Sequence, residues 1–183
     1  ANNTIQEGDI IFQTSKSNQS KAIQLATNSK YSHMGIIYKQ EGKYFVYEAV
    51  NPVKLTPLKK WIQRGENNHY VIKRLKNAKK ILSKQVLSRM KRYGEKFNGK
   101  PYDIYFEWSN DKLYCSELVW KIYKAVLNIE IGKPEKLANF QLNNNIVRAK
   151  LKERYGNTIP LDEKVISPAK MFQSNLLITV TEN

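Results

Sequence analysis

The sequence predicts an α+β fold in which an antiparallel β-sheet packs against helices. Short apolar runs of strand length alternate with longer segments whose apolar residues recur at steps of three and four, as in amphipathic helices. Two of the short runs, 34–38 and 44–50, flank a glycine-containing turn and predict a β-hairpin. The chain has 183 residues, of which 41% are hydrophobic, and this is typical of one globular domain. We therefore expect a single domain over 1–183.

Strand and turn signals dominate the first half of the chain. The apolar run 10–12 follows the turn signal Glu7-Gly8-Asp9 and predicts the first strand. Ser20 stands where an N-cap would precede a short helix. After the hairpin, we expect a helical turn around 58–62 and a further strand over 69–75.

Helical periodicity dominates the second half. Apolar residues at helical spacing predict one helix over 77–97 and another over 115–127. The segment 139–164 is polar, and we interpret it as a flexible insertion within the domain. Ser167-Pro168 predicts an N-cap and first helical residue, and the run 176–180 predicts a closing strand.

The net charge is strongly positive. Lys and Arg number 31 against 16 Asp and Glu, so the formal charge is +15 at pH 7. Such a surface attracts polyanions, and Coulomb attraction does not distinguish among nucleic acid, anionic lipid and an anionic wall polymer. We therefore expect an anionic surface as a partner, without a choice among these classes from charge alone.

Cysteine and histidine are scarce. Cys115 is the single cysteine, which excludes an intramolecular disulfide and a thiolate zinc cluster. The two histidines, His33 and His69, are far apart in sequence and lack the spacing of a metal-binding HExxH motif. We therefore expect no metal site and no cofactor.

The sequence leaves the location of the protein open. It has no run of about 18 apolar residues, so we expect no membrane span. The polar start Ala1-Asn2-Asn3-Thr4 is not typical of a signal peptide. A mature secreted or lipid-anchored protein would have the same kind of start.

The predicted hairpin brings a histidine close to a carboxylate. A two-residue turn places Tyr38 opposite Phe45 and Gly35 opposite Glu48. His33 shares a face with Gly35 through the two-residue period of a strand, so Glu48 becomes its diagonal neighbour. A carboxylate in an apolar strand is costly unless it is paired, and an imidazole is a suitable partner. A purely structural role for this histidine stays open.

Cys115 is predicted to open the helix 115–127, directly after the loop 109–111. Free backbone N–H groups and the positive end of the helix dipole favour a thiolate there. Helix starts and a neighbouring imidazolium lower a cysteine pKa from about 8.5 to roughly 3.5–7.5, and the same N–H groups could stabilise an oxyanion. The alternative, a small buried apolar residue, stays open on these observations alone.

Five short segments in a fixed order resemble a known family. They are Gly8-Asp9-Ile10-Ile11, Ser32-His33-Met34-Gly35-Ile36, Tyr47-Glu48-Ala49, Pro101-Tyr102-Asp103 and Tyr114-Cys115-Ser116-Glu117-Leu118-Val119. Together they resemble the YiiX-like permuted papain-like amidases of the NlpC superfamily. Ser167-Pro168 followed by Ser174 fits the tail of that family. The resemblance covers most of 7–127 and again 167–177, whereas 128–166 resembles nothing familiar.

The resemblance implies a circularly permuted papain-like (NlpC-type) fold, in which the histidine strands precede the cysteine helix. It also implies a catalytic triad. Cys115 would be the nucleophile, His33 the general base and then acid, and Glu48 the residue that orients the imidazole. Three further residues lie near the nucleophile in the motif and are candidates for binding the substrate or the oxyanion: Tyr102, Tyr114 and Ser116.

By the same resemblance, we expect a cysteine hydrolase, an amidase or peptidase, that cleaves peptide-like amides through a thioester. Peptidoglycan-like peptides and a bacterial cell-envelope or secreted location fit the basic surface. The relatives include lipid acyltransferases, so a lipid acyl hydrolase or acyltransferase with the same triad stays open. A nucleic-acid-binding protein without catalysis also fits the charge, but the sequence lacks an aromatic-interleaved motif of a known RNA or DNA module, and we do not expect nucleic acid as a partner.

Overall fold

The computed structural model describes residues 4–183, so the polar start 1–3 lies outside the described residues. The strands are β1 (Ile10–Gln13), β2 (His33–Gln40), β3 (Lys43–Glu48), β4 (Lys54–Pro57), β5 (Val71–Leu75), β6 (Glu135–Lys136), β7 (Lys164–Val165) and β8 (Leu177–Glu182). The helices are α1 (Ser20–Thr27), α2 (Leu58–Gln63), α3 (Ala78–Ile81), α4 (Lys84–Glu95), α5 (Cys115–Leu127), α6 (Asn145–Tyr155) and α7 (Pro168–Phe172). Short 3₁₀ turns lie at Glu66–Asn68 and Leu137–Asn139.

An antiparallel six-stranded sheet forms the centre of the molecule, in the order β4-β3-β2-β1-β5-β8. Both of its faces are covered. Ile10 and Phe12 of β1 belong to the main core, to which α5 contributes, whereas Ile11 between them packs on the other face with Trp61 of α2. Apolar side chains on both faces explain why every residue of β1 is buried. The expected α+β fold with an antiparallel sheet is therefore confirmed.

The β2-β3 hairpin has the expected register. Tyr38 lies opposite Phe45 and Ile36 opposite Tyr47, which continues to Gly35 beside Glu48. Glu41 and Gly42 both adopt positive φ, 51° and 78°, as a two-residue turn of matching twist requires. The turn therefore determines which side chains at the far end of the hairpin share a face.

Two predictions about helix starts need correction. The expected helix over 77–97 is two helices, because the Oγ of Ser83 accepts the Val86 N–H at 3.2 Å and begins α4 as an N-cap. Apolar spacing continues across this break, so periodicity alone could not show it. Ser20 is also inside α1 rather than capping it, since its hydroxyl lies 2.7 Å from the Ser32 hydroxyl instead.

The second half contains the other expected elements. The helix α5 begins and ends where periodicity predicts, and the Oγ of Ser167 accepts the Lys170 N–H as the N-cap of α7. The polar segment 139–164 includes α6, in which Val147 is buried. Whether that segment is flexible, and whether 1–183 is one domain, stay predictions. None of the helices within residues 4–183 has the length and apolar character needed to cross a bilayer.

Candidate active site

Cys115 is the first residue of α5 and is buried. The preceding loop is fixed to the helix by Glu117, whose Oε1 accepts the Tyr114 N–H at 3.2 Å and whose Oε2 accepts the Ser109 N–H at 3.3 Å. Lys121 completes this cluster with a 2.8 Å ion pair to Glu117 and a 2.5 Å hydrogen bond to the Ser109 carbonyl. Burial raises the pKa of Glu117 to about 7. The start of the cysteine helix is therefore held by side chains of the helix itself.

His33 and Glu48 meet at the open end of the hairpin. The Nε2 of His33 lies 2.7 Å from the Oε1 of Glu48, and neither side chain is more than 10% exposed. The imidazole stacks on Trp61, with the ring centroids 5.7 Å apart. The predicted pairing of these two residues is therefore present, and it follows from the register of the hairpin.

Cys115 lies near enough to the His33 imidazole to affect its pKa, and its Sγ lies 3.9 Å from the carbonyl oxygen of Ser32. Because Nε2 is bonded to Glu48, the nitrogen left for the sulfur is Nδ1. Burial disfavours the imidazolium, but the hydrogen bonds and charges of Cys115 and Glu48 outweigh it and raise the pKa of His33 to about 9. The structure thus joins the three expected triad residues in one chain of contacts.

Glu48 has two further partners that sequence reasoning missed. Thr56 donates its hydroxyl to Oε2 at 2.5 Å, and the Nη2 of Arg64 contacts both carboxylate oxygens, with Oε1 at 2.5 Å. Glu48 is fully buried, which raises its pKa, yet the bonds from His33, Arg64 and Thr56 prevail and lower that pKa to about 2. Glu48 is therefore held as a carboxylate.

The three remaining candidates differ in their surroundings. The Tyr114 hydroxyl accepts the Ile166 N–H at 3.3 Å, and the Ser116 hydroxyl donates to the Ile166 carbonyl at 2.7 Å. These two side chains thus hold a neighbouring segment. Tyr102 lines the same cavity as Cys115, and its hydroxyl accepts a hydrogen bond from the Nε2 of Gln19 at 2.5 Å. Burial raises the pKa of Tyr102, so its hydroxyl stays protonated.

Two cavities meet at this site and differ in character. The first, of about 110 Å³, has Cys115 in its wall and is otherwise mostly apolar, with Ile23, Phe106, Phe140, Leu142, Val147 and Leu151 among its lining residues. The second, of about 550 Å³, is lined by His33 and mainly polar side chains. Gln19 and Tyr102 line both cavities. Cys115 and His33 therefore lie where an apolar and a polar space adjoin.

Known proteins resemble this chain over most of its length. The uncharacterized protein YiiX of Escherichia coli strain K12 is 49% identical over 177 residues, which is 97% of this chain and 86% of that protein. A solved structure, described as the crystal structure of the metalloprotein yiiX from Escherichia coli O157:H7, matches with a TM-score of 0.93 and 49% identity. The match covers 97% of each chain.

A metal site in this chain would need several His, Cys, Asp or Glu side chains close together. Within residues 4–183, no group of three or more His, Cys, Asp or Glu side chains is placed to hold a metal ion. The carboxylate nearest the imidazole, Glu48, has its oxygens occupied by Thr56 and Arg64 as well as His33. The described donor set therefore does not fit a metal at this site.

The chain also matches the sequence model of a known family. The model of permuted papain-like amidase enzymes, the YaeF/YiiX or C92 family, matches residues 4–181. That span includes the hairpin with His33 and Glu48, the helix that begins at Cys115 and the carboxyl-terminal strand. The order of these elements is that of a permuted papain-like fold, as the sequence predicts. The chain belongs to the YaeF/YiiX family of permuted papain-like amidases.

Proposed function

We propose that this protein hydrolyses amides through a thioester on Cys115, with His33 and Glu48 as the other members of a triad. One observation carries the proposal: the imidazole of His33 lies 2.7 Å from Glu48 and near enough to Cys115 for the sulfur to affect its pKa. A nucleophile, a base within reach of it and a group that orients the base are the arrangement that acyl transfer requires.

In the proposed reaction, His33 carries each proton between the sulfur, the leaving nitrogen and water. His33 takes the proton of the Cys115 thiol, and the sulfur bonds to the amide carbonyl carbon. The imidazolium then gives this proton to the nitrogen as the C–N bond breaks, which releases the amine and leaves a thioester. Water attacks the thioester, with His33 accepting a proton from it and returning one to the departing sulfur. The products are an amine and a carboxylic acid.

Tyr102 is the best placed of the three oxyanion candidates. Its oxygen accepts from the amide Nε2 of Gln19, a group that can only donate, so its own proton is free for another acceptor. It shares a cavity wall with Cys115, where the oxyanion of the tetrahedral intermediate would form. We assign Tyr102, together with the backbone N–H groups that open α5, to stabilising that charge.

The apolar cavity favours a second candidate for the substrate. The family match supports an amide substrate, and a peptide-like acyl group, such as that of a wall peptide, is the one the sequence leads us to expect. The acyl carbon must bond to the Cys115 sulfur, however, and the space beside that sulfur is lined largely by apolar side chains. A hydrocarbon acyl chain would remove its surface and the cavity wall from water together. This observation supports the lipid acyl hydrolase or acyltransferase alternative with the same triad.

The test combines an acyl series with matched variants. Release of new amine is measured from octanoyl amides and from short peptide amides, beside octanoyl esters, and the acyl-enzyme is sought by intact mass. We expect amide turnover that Cys115→Ala and His33→Ala abolish. His69→Ala should leave turnover intact, since His69 bonds Tyr31 and the Asn183 carbonyl instead.

Two results would contradict the proposal. Amide cleavage that survives in Cys115→Ala would exclude the nucleophile. Ester turnover without amide cleavage would replace the amidase with an acyl-ester hydrolase or acyltransferase that uses the same residues.

A further inference from the structure

The polar cavity beside His33 has a composition that the triad does not explain. Its charged lining residues besides His33 are two cations, Lys16 and Arg64, and no Asp or Glu lines it. Serine, asparagine and glutamine side chains form much of the remaining wall, namely Ser15, Ser17, Ser32, Gln13, Asn51 and Gln63. The cavity, at about 550 Å³, is large enough for more than a water molecule.

The proposed chemistry determines which part of the substrate reaches this cavity. In an acyl transfer the carbonyl carbon bonds to the sulfur of Cys115, whereas the leaving nitrogen must approach the group that protonates it. That group is His33, which lines the polar cavity. The acyl part therefore extends towards the cysteine side, and the leaving amine extends into the polar cavity.

We infer that the polar cavity binds a leaving amine that carries an anionic group, a carboxylate or a phosphate. This inference rests on the proposed amide hydrolysis and names the class of its amine product. No carboxylate lines the cavity, and Lys16 together with the edge of Arg64 that does not face Glu48 would attract such a group and disfavour an amine whose remainder is positive. The shared chemistry is a compact oxyanion whose carbon or phosphorus lies two to four bonds from the nitrogen.

Arg64 can pair with Glu48 and bind an anionic group in the polar cavity at the same time. Its Nη2 bonds Glu48, whereas, among the residues that the structure describes, Nε and Nη1 of its guanidinium bond to no protein group. The side chain is 45% exposed although Glu48 is fully buried, so one end reaches the cavity. A planar guanidinium with free donors matches the geometry of a carboxylate or phosphate.

Two glutamines supply acceptors for the nitrogen. Gln13 is fully buried and donates its Nε2 to the Trp61 carbonyl at 2.9 Å, which leaves its Oε1 shielded from solvent without a partner. The Oε1 of Gln19 is likewise shielded and unpartnered, and both side chains line the polar cavity. A buried acceptor without a donor is costly, so a small rotation that turns either oxygen into the cavity would be favoured when a bound substrate offers an amine N–H.

The first experiment varies only the leaving group. Octanoyl-glycine is compared with octanoyl-glycinamide, and octanoyl-aminoethyl phosphate with octanoyl-ethanolamine, at fixed ionic strength. We expect kcat/KM to be about tenfold or more higher for the anionic member of each pair. A preference confined to one pair identifies carboxylate or phosphate as the source. Equal rates within both pairs, with Cys115→Ala inactive, would overturn the inference and leave the amidase proposal standing.

The second experiment tests whether Lys16 binds the anionic group. Lys16→Gln should lower kcat/KM for the anionic substrates about three- to tenfold and leave the neutral ones unchanged, because Lys16 lies outside the triad. Lys21→Gln makes the same change of net charge on an exposed residue that does not line the cavity, so it controls for general attraction. An equal effect of both variants would refute a site at Lys16.

A third readout does not need turnover. Glycine and aminoethyl phosphate, compared with glycinamide and ethanolamine, are added while iodoacetamide labels Cys115. Slower labelling with the anionic amines alone, lost in Lys16→Gln, supports the cavity assignment even if no amide is cleaved. No difference between the anionic and neutral amines, in an enzyme that does cleave amides, counts against it.

Discussion

In the proposed triad, Glu48 supplies a charged carboxylate in the role that a neutral asparagine has in Cys-His-Asn triads. Arg64 compensates for this charge through its contacts with both carboxylate oxygens. In the proposed mechanism, proton transfer from Cys115 to His33 creates one anion and one cation. Together with Glu48 and Arg64 the cluster then holds two charges of each sign, so neither protonation state leaves a net charge in the site.

Alkylation of Cys115 tests whether Cys115 and His33 act as a pair. Iodoacetamide reacts with thiolate, so the labelling rate against pH reports how His33 supports that form. We expect His33→Ala to slow labelling near neutral pH, because the imidazole proposed to accept the thiol proton is lost. His69→Ala, which changes the other histidine, should leave the profile in place. Superimposable profiles for the wild type and His33→Ala would show that no Cys-His pair exists.

Glu48→Gln should change the pH dependence of catalysis as well as its rate. The carboxylate is one of the causes that raise the pKa of His33 to about 9, so its removal moves the basic limb of kcat/KM to lower pH. We expect kcat/KM to fall by about 10²- to 10⁴-fold. Glu41→Gln, at the exposed hairpin turn, is the matched control. If both the basic limb of kcat/KM and its magnitude are unaltered, Glu48 is not a member of the triad.

The same pair contributes to stability within a defined pH range. The pKa of Glu48 is depressed to about 2, so its contribution is present above about 4.5 and lost as pH falls through 2. The pKa of His33 is raised, so its contribution is complete below about 6.5 and lost as pH rises through about 9. Urea unfolding should therefore show the largest difference between wild type and Glu48→Gln near pH 4.5–6.5. A difference that does not vary with pH would contradict this linkage.

At the scale of elements, the strands and helices that could be predicted are those with local signals in the sequence. The hairpin register follows from a two-residue turn and a period of two, and this alone places Glu48 near His33. The break between α3 and α4 was not predicted, since one N-cap hydroxyl outweighs an uninterrupted apolar pattern. Arg64 and Gln19 come from separate segments, and nothing in their own neighbourhoods indicates that folding brings them to the site.

Gly35 shows how the packing of β2 on β3 supports the site. A Cβ at this position would lie 2.4 Å from the Cγ1 of Val46 and 2.7 Å from the Tyr47 carbonyl oxygen. We expect Gly35→Ala to lower the free energy of unfolding by about 1–3 kcal/mol and to reduce turnover, because the strands that carry His33 and Glu48 must separate. Urea unfolding and amide turnover measure the two effects.

Gly42→Ala is the control for this variant. Gly42 has a φ of 78° and no atom within 4 Å of a Cβ built on it, so the substitution introduces backbone strain without crowding. It should cost about 1 kcal/mol and leave turnover unchanged. Equal effects of the two variants on turnover would show that the close contact of β2 with β3 does not position the site.

At the scale of the whole molecule, the ordered motifs indicate the family, because several short segments together are far more specific than any one of them. The cavities were beyond sequence reasoning. The residues that line the apolar cavity beside Cys115 come from α1, α6 and the segments on either side of α5, and only folding brings them together. Membership of the amidase family therefore specifies the reaction more closely than the substrate.

The net charge of +15 acts on the whole molecule and predicts where the enzyme is most active. Electrostatic attraction concentrates a cationic protein at an anionic surface, and salt weakens it as the Debye length falls from about 30 Å at 0.01 M to about 3 Å at 1 M. An amide tethered to a carboxylate-bearing polymer should thus be cleaved about tenfold or more faster than one on an uncharged polymer at about 20 mM salt.

That advantage should disappear at about 0.5 M salt, where exposed charges are screened. The measurement is the initial rate of amine release on each polymer across a salt series, with a soluble uncharged amide as the control for direct effects of salt on the triad. The Cys115-His33-Glu48 contacts are buried, so the control rate should vary little. A parallel fall for all three substrates would place the salt effect in the site itself. No fall for the anionic polymer would show that the surface charge does not guide this enzyme to its substrate.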